Sequence, residues 1–482
     1  MTTPLTLARP EIPPLTKVRH VHMIAICGTG MGSLAGMLKS AGLKVTGSDQ
    51  NAYPPMSTQL RGQGIEIREG YRAENLDDAP DLVVVGNAVS KTNPEVEALL
   101  ARGIPFVSFP EALEHFFLAS RMPVVIAGTH GKTTTTSLTA WVLDQCGLDP
   151  GFMIGGVAKN FGRNDRVGSG KPFAVEGDEY DSAFFDKEPK FLHYRPHVGV
   201  LTSVEFDHGD IYKSFDILVE KFAKFVALPP SDGLLIACTD YDAITKLLPG
   251  AKAPVVTYGL TGSPDFTAKK IEGTPDGGTA FTVERKGKPA RTWRMSMTGR
   301  HNVLNALSVL AVAEYLGLPE DKVQAAFDSF QGITRRQDLV GTARGVSVYD
   351  DFAHHPTAIA ETIAAIRMRH PGKRIIALFE PRSNTSRRNI FQKEFPPAFA
   401  EADFSLIAPV FNAEKLSDEE RLDVAKVVAD IRALGKEAEN PDGVDAIVAR
   451  VAALAREGDV VLVMSNGGFG GIHGKILQAL QG

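Results

Sequence analysis

The stretch IAGTHGKTTTTSL, residues 126–138, sets glycines, a lysine and a run of threonines behind an apolar stretch. Gly131, Lys132 and Thr133 match the end of the phosphate-binding pattern G-x-x-x-x-G-K-[ST], but Ile126 holds the first-glycine position. The loop is a shortened form of that pattern. Gly128, Thr129, His130 and Gly131 would bring backbone N–H groups to a phosphate at a helix N-terminus. Lys132 offers a point charge for the β- and γ-phosphates, and Thr133 a hydroxyl for Mg2+. Of the four threonines from 133 to 136, one suits a ligand and the others suit capping or packing.

Two groups of hard donors follow apolar runs. Glu176, Asp178, Glu179 and Asp181 come after FAVEG; Glu205, Asp207, His208 and Asp210 come after VGVLTS. Alone, each carboxylate reads as a solvated loop charge and His208 as a structural histidine. Beside a phosphate loop they suit Mg2+, which bridges carboxylate to phosphate. A further glycine turn, GTGMGS from Gly28 to Ser33, has Asp49 about 20 residues on. It fits NAD, FAD or another nucleotide diphosphate equally, or a tight turn without ligand.

These residues must sit on strand ends. Val21 to Cys27 reads as a buried parallel strand, followed by the glycine turn, a helix from about Ser33 and a strand ending near Asp49. DLVVVGN and IPFVSF complete a doubly wound α/β domain. PVVIAG, FAVEGDE, HVGVLTS and DGLLIACTD are strands of a second domain, with short antiparallel strands or hairpins between Val255 and Met297 and a helix through GRHNVLNALSVLAVAEYLG. Four more strands, in GVSVYDD, KRIIALFE, DFSLIAPVF and DVVLVMS, form a third. The expected organisation is a leader, 1–18, and three α/β domains: 19–118, 119–331 and 332–482. Every motif falls at a C-terminal strand end, where such sheets collect ligands, which suggests one cleft between domains.

Composition limits the rest. The 482 residues are 43% apolar and 23% charged, with a net charge of −5 and no basic block. Sequence-independent nucleic-acid binding is not expected. Cys27, Cys146 and Cys238 have no metal-ligand spacing and read as reduced thiols. The Pro-rich start is no signal peptide, and no run of about 18 apolar residues exists, so a cytoplasmic protein with no membrane span is expected.

The chain resembles the Mur ligases, ATP-dependent enzymes of cell-wall peptide synthesis. The resemblance runs from about His20 to the end, through AGTHGKTTTT, VEGDEYDSAFF, SVEFDHGD, GRHNVLNAL, GITRRQD and DDFAHHPTAI. It implies a Rossmann-like UDP-binding domain, a central P-loop ATPase-type domain with a mainly parallel sheet, and a Rossmann-like C-terminal domain. It implies joining UDP-N-acetylmuramate to a cell-wall peptide, the recycled tripeptide L-Ala-γ-D-Glu-meso-diaminopimelate, through an acyl phosphate. No obligate protein partner is implied.

The resemblance also assigns residues. Gly128 to Thr134 hold ATP, with Lys132 and Thr133 at its phosphates. Glu176 and His208 look like ligands of a second Mg2+. Asn302 looks like an adenine contact, Asp351 a ribose or positioning contact, and Arg336 a phosphate-side cation, with a hinge salt bridge as the alternative. Gly28, Thr29, Gly30, Met31 and Gly32 would hold the uridine diphosphate, with Asp49, Asn51, Asn87 and Ala88 at nearby strand ends. His130 and Asn160 would reach the sugar or its carboxylate.

Arg382, Ser383, Asn384 and Thr385 would dock the peptide. So would Asn466, Gly467 and the glycines 468, 470 and 471, unless these simply turn strand into helix. His354 and His355 are candidates for positioning or proton transfer, or for capping the helix after Pro356. Some family members carry a carbamylated lysine; Lys213, Lys221 and Lys224 are in range, and none is matched. The rival readings are ligation of free L-alanine, a nucleotide-binding oxidoreductase, and a non-catalytic ATP-binding regulator.

Overall fold

The computed structural model describes residues 9–54, 56–209 and 211–481. Asp210 of the second acidic group and residues 1–8 of the expected leader lie outside them. Among the described residues no helix is long and apolar enough to cross a membrane. The chain forms two compact units. The first takes the chain up to Val204 with Val219–Thr257 and Ser308–Lys322; the second takes Glu205–Leu218, Tyr258–Leu307 and the chain from Val323.

The first unit holds a five-stranded parallel sheet in the order Glu66–Glu69, Lys44–Asp49, His20–Ile24, Leu82–Val85, Phe106–Ser108. Its centre is buried on both faces, as parallel sheets require, and LVVV is buried at every position. His20–Ile24 is equally buried despite two histidines. Three of their ring nitrogens have partners: His20 Nε2 and His22 Nδ1 meet Thr46 Oγ1 at 2.9 and 2.8 Å. His22 Nε2 meets Glu95 Oε1 at 2.7 Å, and Ser48 and Asn75 donate to the same carboxylate at 2.9 and 2.8 Å. A fully buried carboxylate is tolerated only with such partners.

The first strand stops at Ile24, before the expected Cys27, because Ala25 adopts a φ of 64°. The following helix, Thr29–Ser40, starts inside the glycine turn with Gly28 as its N-cap, not near Ser33. Of the expected leader, Arg9 is anchored by both guanidinium arms to Glu111, each at 2.9 Å.

The same unit holds six strands in the order Leu234–Cys238, Val198–Leu201, Met122–Ala127, Pro172–Gly177, Gly151–Ala158, Arg163–Arg166. All neighbours are parallel except the last pair. Met122–Ala127 has later strands on both sides, so the loop after it opens where the strand order reverses, the place such sheets bind ligands.

In the second unit Phe266–Gly273, Thr279–Arg285 and Lys288–Met295 form the expected antiparallel hairpins. Tyr258 and Gly259 instead pair in parallel with Phe266 and Thr267. A six-stranded sheet runs in the order Asp338–Ala343, Val346–Asp351, Val460–Met464, Ile375–Phe379, Phe404–Ile407, Glu437–Glu439. Only the first pair is antiparallel. Alternate residues of Ile375–Phe379 enter separate cores: Ile375, Ala377 and Phe379 pack with Ile363 and Phe395, while Ile376 and Leu378 pack with Ile447 and Ile476.

Candidate active site

The phosphate loop is built by its glycines and by the next strand. Gly131 has a φ of 79° and caps the helix Lys132–Gln145. Gly128 has a φ of 132°, and a Cβ there would lie 2.2 Å from Thr202 Oγ1, so only glycine fits. Thr202 and Ser203 hold the loop: Thr202 Oγ1 donates to His130 O at 2.6 Å, and the Thr129 and His130 amides donate to Ser203 O and Oγ at 3.0 and 2.8 Å. Sequence reading had missed these two residues.

Within this loop Lys132 Nζ donates to Gly128 O at 2.7 Å and lies 2.8 Å from Glu179. Burial opposes its charge, but the Glu179 and Glu176 carboxylates outweigh burial and its pKa ends raised. Thr133 donates to Glu176 Oε1 at 3.0 Å, and the Gly155 amide donates to Oε2 at 2.7 Å. Burial pushes the Glu176 carboxyl up, and Lys132 offsets this only in part. Thr136 and Ser137 return their hydroxyls to the carbonyls of Lys132 and Thr133, local bonds within the helix.

The four acids of the first group therefore separate by partner. Glu176 meets Thr133 and Glu179 meets Lys132. Asp178 lies 2.6 Å from Lys190, which brings it down to about 2 against the effect of burial. Asp181 lies 2.6 Å from Lys187. Lys221 and Lys224 both grip Glu188, at 3.0 and 2.9 Å.

In the first sheet, Gly28 to Gly32 turn the strand into its helix. Asp49 accepts from the Cys27 and Asn51 amides at 2.8 and 3.0 Å, tying the glycine loop to the next strand end. Burial and Asp49 push the Cys27 thiol up to about 11, so it is no ready nucleophile. Asn87 and Ala88 are exposed in the turn after Leu82–Val85, and Asn160 is half-buried after Gly151–Ala158.

The second unit gathers its own group. Asp207 Oδ2 lies 3.9 Å from His208 and 3.8 Å from His354, and burial would raise it, yet His208, His354 and His355 hold it well below the usual carboxylate range. Glu205 accepts from Thr357 at 3.0 Å. His355 caps the helix Pro356–Arg369. The Gly209 amide donates to Thr385 Oγ1 at 3.3 Å, so the loop of His208 meets the PRSNT loop.

Asp351 and Asn302 are also joined. Asp351 accepts from the Gln337 and Ala353 amides, both at 2.8 Å. The Gln337 and Asn302 side chains both donate to Thr298 O, at 3.2 and 2.8 Å. Burial pushes the Asp351 carboxyl up against the pull of Arg336. Arg336 lies over Phe352, and the hinge ion pair considered for it is made by Arg335 with Asp350 at 3.1 Å.

At the expected peptide loops, Arg382 stacks on Phe411 with its guanidinium 3.7 Å from the ring centre. The Ser383 hydroxyl donates to Ser386 Oγ at 2.8 Å, and Asn384 accepts from Arg387 at 2.8 Å. Asn466 and Gly467 lie in the neighbouring loop, which begins at Ser465 after Val460–Met464.

A strand-loop-helix whose lysine and threonine are met by carboxylates, in a chain with two further, mainly parallel α/β sheets, defines a nucleotide-dependent enzyme of three domains. Family models match most of the chain: "Mur ligase family, catalytic domain" over residues 20–121, "Mur ligase middle domain" over 126–313, and "Mur ligase, glutamate ligase domain" over 335–467. The chain belongs to the Mur ligase family and is an ATP-dependent ligase.

Among its relatives, the UDP-N-acetylmuramate–L-alanyl-γ-D-glutamyl-meso-2,6-diaminoheptandioate ligase of Escherichia coli (strain K12) is 42% identical over 464 residues, 96% of this chain and 98% of that one. The crystal structure of a murein peptide ligase from Psychrobacter arcticus is 36% identical, with a TM-score of 0.69 over 96% of this chain and 98% of that one. The UDP-N-acetylmuramate-alanine ligase structure from Thermotoga maritima is 25% identical, with a TM-score of 0.76 over 96% and 99%.

Proposed function

We propose that this enzyme joins UDP-N-acetylmuramate to the recycled tripeptide L-Ala-γ-D-Glu-meso-diaminopimelate in the cytoplasm, spending ATP to activate the muramyl carboxylate. The observation that carries the reading is its 42% identity, across 98% of that protein's length, to a relative named for this ligation. The domains run 19–118 for the UDP-sugar, 119–331 for ATP and 332–482 for the peptide.

A carboxylate is a poor acyl donor. One of its oxygens attacks the γ-phosphorus, ADP leaves, and an acyl phosphate forms. The peptide amine then attacks the acyl carbon, and the tetrahedral intermediate expels phosphate carrying that oxygen. Phosphoryl transfer needs charge neutralised more than covalent help. Lys132 releases its loop carbonyls to meet the phosphates, while Glu179 keeps it charged.

The Thr133 hydroxyl and Glu176 carboxylate, 3.0 Å apart, are hard oxygen donors that suit Mg2+. Thr133 would hold one ion and Glu176 with His208 a second; when bound, they neutralise the approaching anions. Asn302 and Asp351 take the nucleoside, and Arg336 the phosphate side. The turn Gly28–Gly32 with Asp49, Asn51, Asn87 and Ala88 holds the uridine diphosphate. His130 and Asn160 face the sugar. Arg382 to Thr385, with Asn466 and Gly467, take the peptide, Arg382 as a fork for a carboxylate.

A second reading, free L-alanine as the amine, is favoured by the TM-score of 0.76 to the Thermotoga maritima structure. The acyl phosphate is tested by labelling the muramyl carboxylate with 18O. Label is expected in the released phosphate; phosphate free of label would refute that intermediate.

A further inference from the structure

We propose that Arg335 is a positioning residue for the amine substrate: it shapes the loop from Ser465 to Gly471 and, through Ser465 and Glu380, the setting of Arg382. The inference rests on the proposed peptide-binding role of these loops.

Arg335 is left-handed, with a φ of 65°, which costs a non-glycine residue energy that its contacts must offset. Its side-chain hydrogen bonds go to the strand Val346–Asp351 and to the loop after Val460–Met464, and its guanidinium lies 5.3 Å from the Phe352 ring centre. Nε donates to Asp350 at 3.1 Å, and Nη2 donates to Ser465 O at 2.7 Å and Gly467 O at 2.6 Å. Asp350 is itself held by His473 at 3.2 Å. One cation thus draws two carbonyls of a single loop to one point and fixes the direction of the residue between them, Asn466.

The far side of that loop is fixed by a buried carboxylate. Ser465 donates to Glu380 Oε2 at 2.6 Å and accepts from the Gly467 amide at 2.9 Å. Glu380 and Ser465 are 6% and 1% exposed, so this contact is shielded from water. Glu380 Oε1 lies 3.4 Å from Arg382 Nη1. The chain Arg335, Ser465, Glu380, Arg382 links both loops assigned to the peptide, on the adjacent strands Val460–Met464 and Ile375–Phe379. The side-chain hydrogen bonds of Arg335 reach none of the described residues proposed to bind ATP in this unit, Asn302, Asp351 and Arg336; it shares only the Phe352 ring with Arg336, at 5.3 and 4.8 Å from the ring centre.

The test uses the full-length enzyme with Arg335→Ala and Ser465→Ala, KM measured for each substrate, and amide hydrogen exchange. In both variants the KM for the tripeptide should rise about tenfold, the scale of a lost charge-assisted contact, while kcat and the other two KM values stay within about twofold. Exchange should quicken at residues 466–471 while Val460–Met464 keeps its protection. An equal rise in the KM for ATP would overturn the proposal, as would unchanged exchange in the loop, or loss of protection in strand and loop together, which marks a merely structural role. Should the native enzyme accept only L-alanine, the tripeptide reading fails by itself; the KM for L-alanine and the loop exchange then decide the role of Arg335.

Discussion

Thr133, in the first turn of the phosphate-loop helix, donates to Glu176, next to last in the strand Pro172–Gly177, at 3.0 Å. The contact sets two hard oxygen donors side by side at the phosphate loop, the hydroxyl proposed to hold one Mg2+ and the carboxylate proposed to hold the other. Gly155 closes the arrangement from the other side.

Gly155→Ala should disturb this pair without removing a ligand. A Cβ at Gly155 would stand 2.8 Å from Glu176 Oε2, so the carboxylate must shift. The Mg2+ concentration for half-maximal activity should rise about tenfold, the lower end for loss of an outer-shell partner. A magnesium titration of phosphate release checks it; an unchanged midpoint would separate Glu176 from the metal.

Gly467→Ala should act on the amine alone. A Cβ there would lie 2.1 Å from Arg382 Nε and force that side chain off Phe411. A displacement near 1 Å at a recognition group can cost up to about a hundredfold, so the tripeptide KM should rise at least about tenfold with the KM for ATP unmoved. Steady-state kinetics with each substrate varied in turn decides it.

Glu95→Ala should destabilise the first sheet by about 3–5 kcal/mol, the usual result of stripping one partner from a buried pair. Glu95 is fully buried and receives His22, Ser48 and Asn75. Because Ser48 precedes Asp49, which holds the glycine loop, the KM for UDP-N-acetylmuramate should rise in the folded fraction. Denaturant unfolding and kinetics read the two effects separately.

Glu111 gives a pH dependence. Burial would raise its carboxyl, but the Arg9 pair and the Ser108 N-cap bring it below the ordinary value. A depressed pKa means stability present at neutral pH and lost as pH falls through the folded value. Glu111→Gln should cost about 1 kcal/mol at pH 7, a typical cap contribution, and the difference should vanish well below pH ~4. Melting curves across that range test the sign.

The phosphate loop was legible because its chemistry lies in consecutive residues. Lys132, Thr133 and the glycines carry their own geometry, and the apolar runs before them mark strands. Two polar edge strands were not legible. EIRE at Glu66–Glu69 and EAE at Glu437–Glu439 are polar, short and half-covered, so no apolar alternation announces them. The partner of each acid was hidden too. Nothing in VEGDEYD says that Asp178 answers Lys190, 12 residues away in sequence, while Glu176 answers Thr133, 43 away. Gly155, Ser203, Gln337 and Arg335 were missed for the same reason: their roles arise from long-range approach, which one sequence does not display.

The amine substrate decides which reaction this enzyme performs. Its identity is tested most directly by phosphate release with ATP, Mg2+ and UDP-N-acetylmuramate, adding either the tripeptide L-Ala-γ-D-Glu-meso-diaminopimelate or free L-alanine. Release is expected with the tripeptide, and none above background with L-alanine. Release with L-alanine alone would contradict the tripeptide reading and reassign Arg382 and the loop of Asn466 to a smaller substrate.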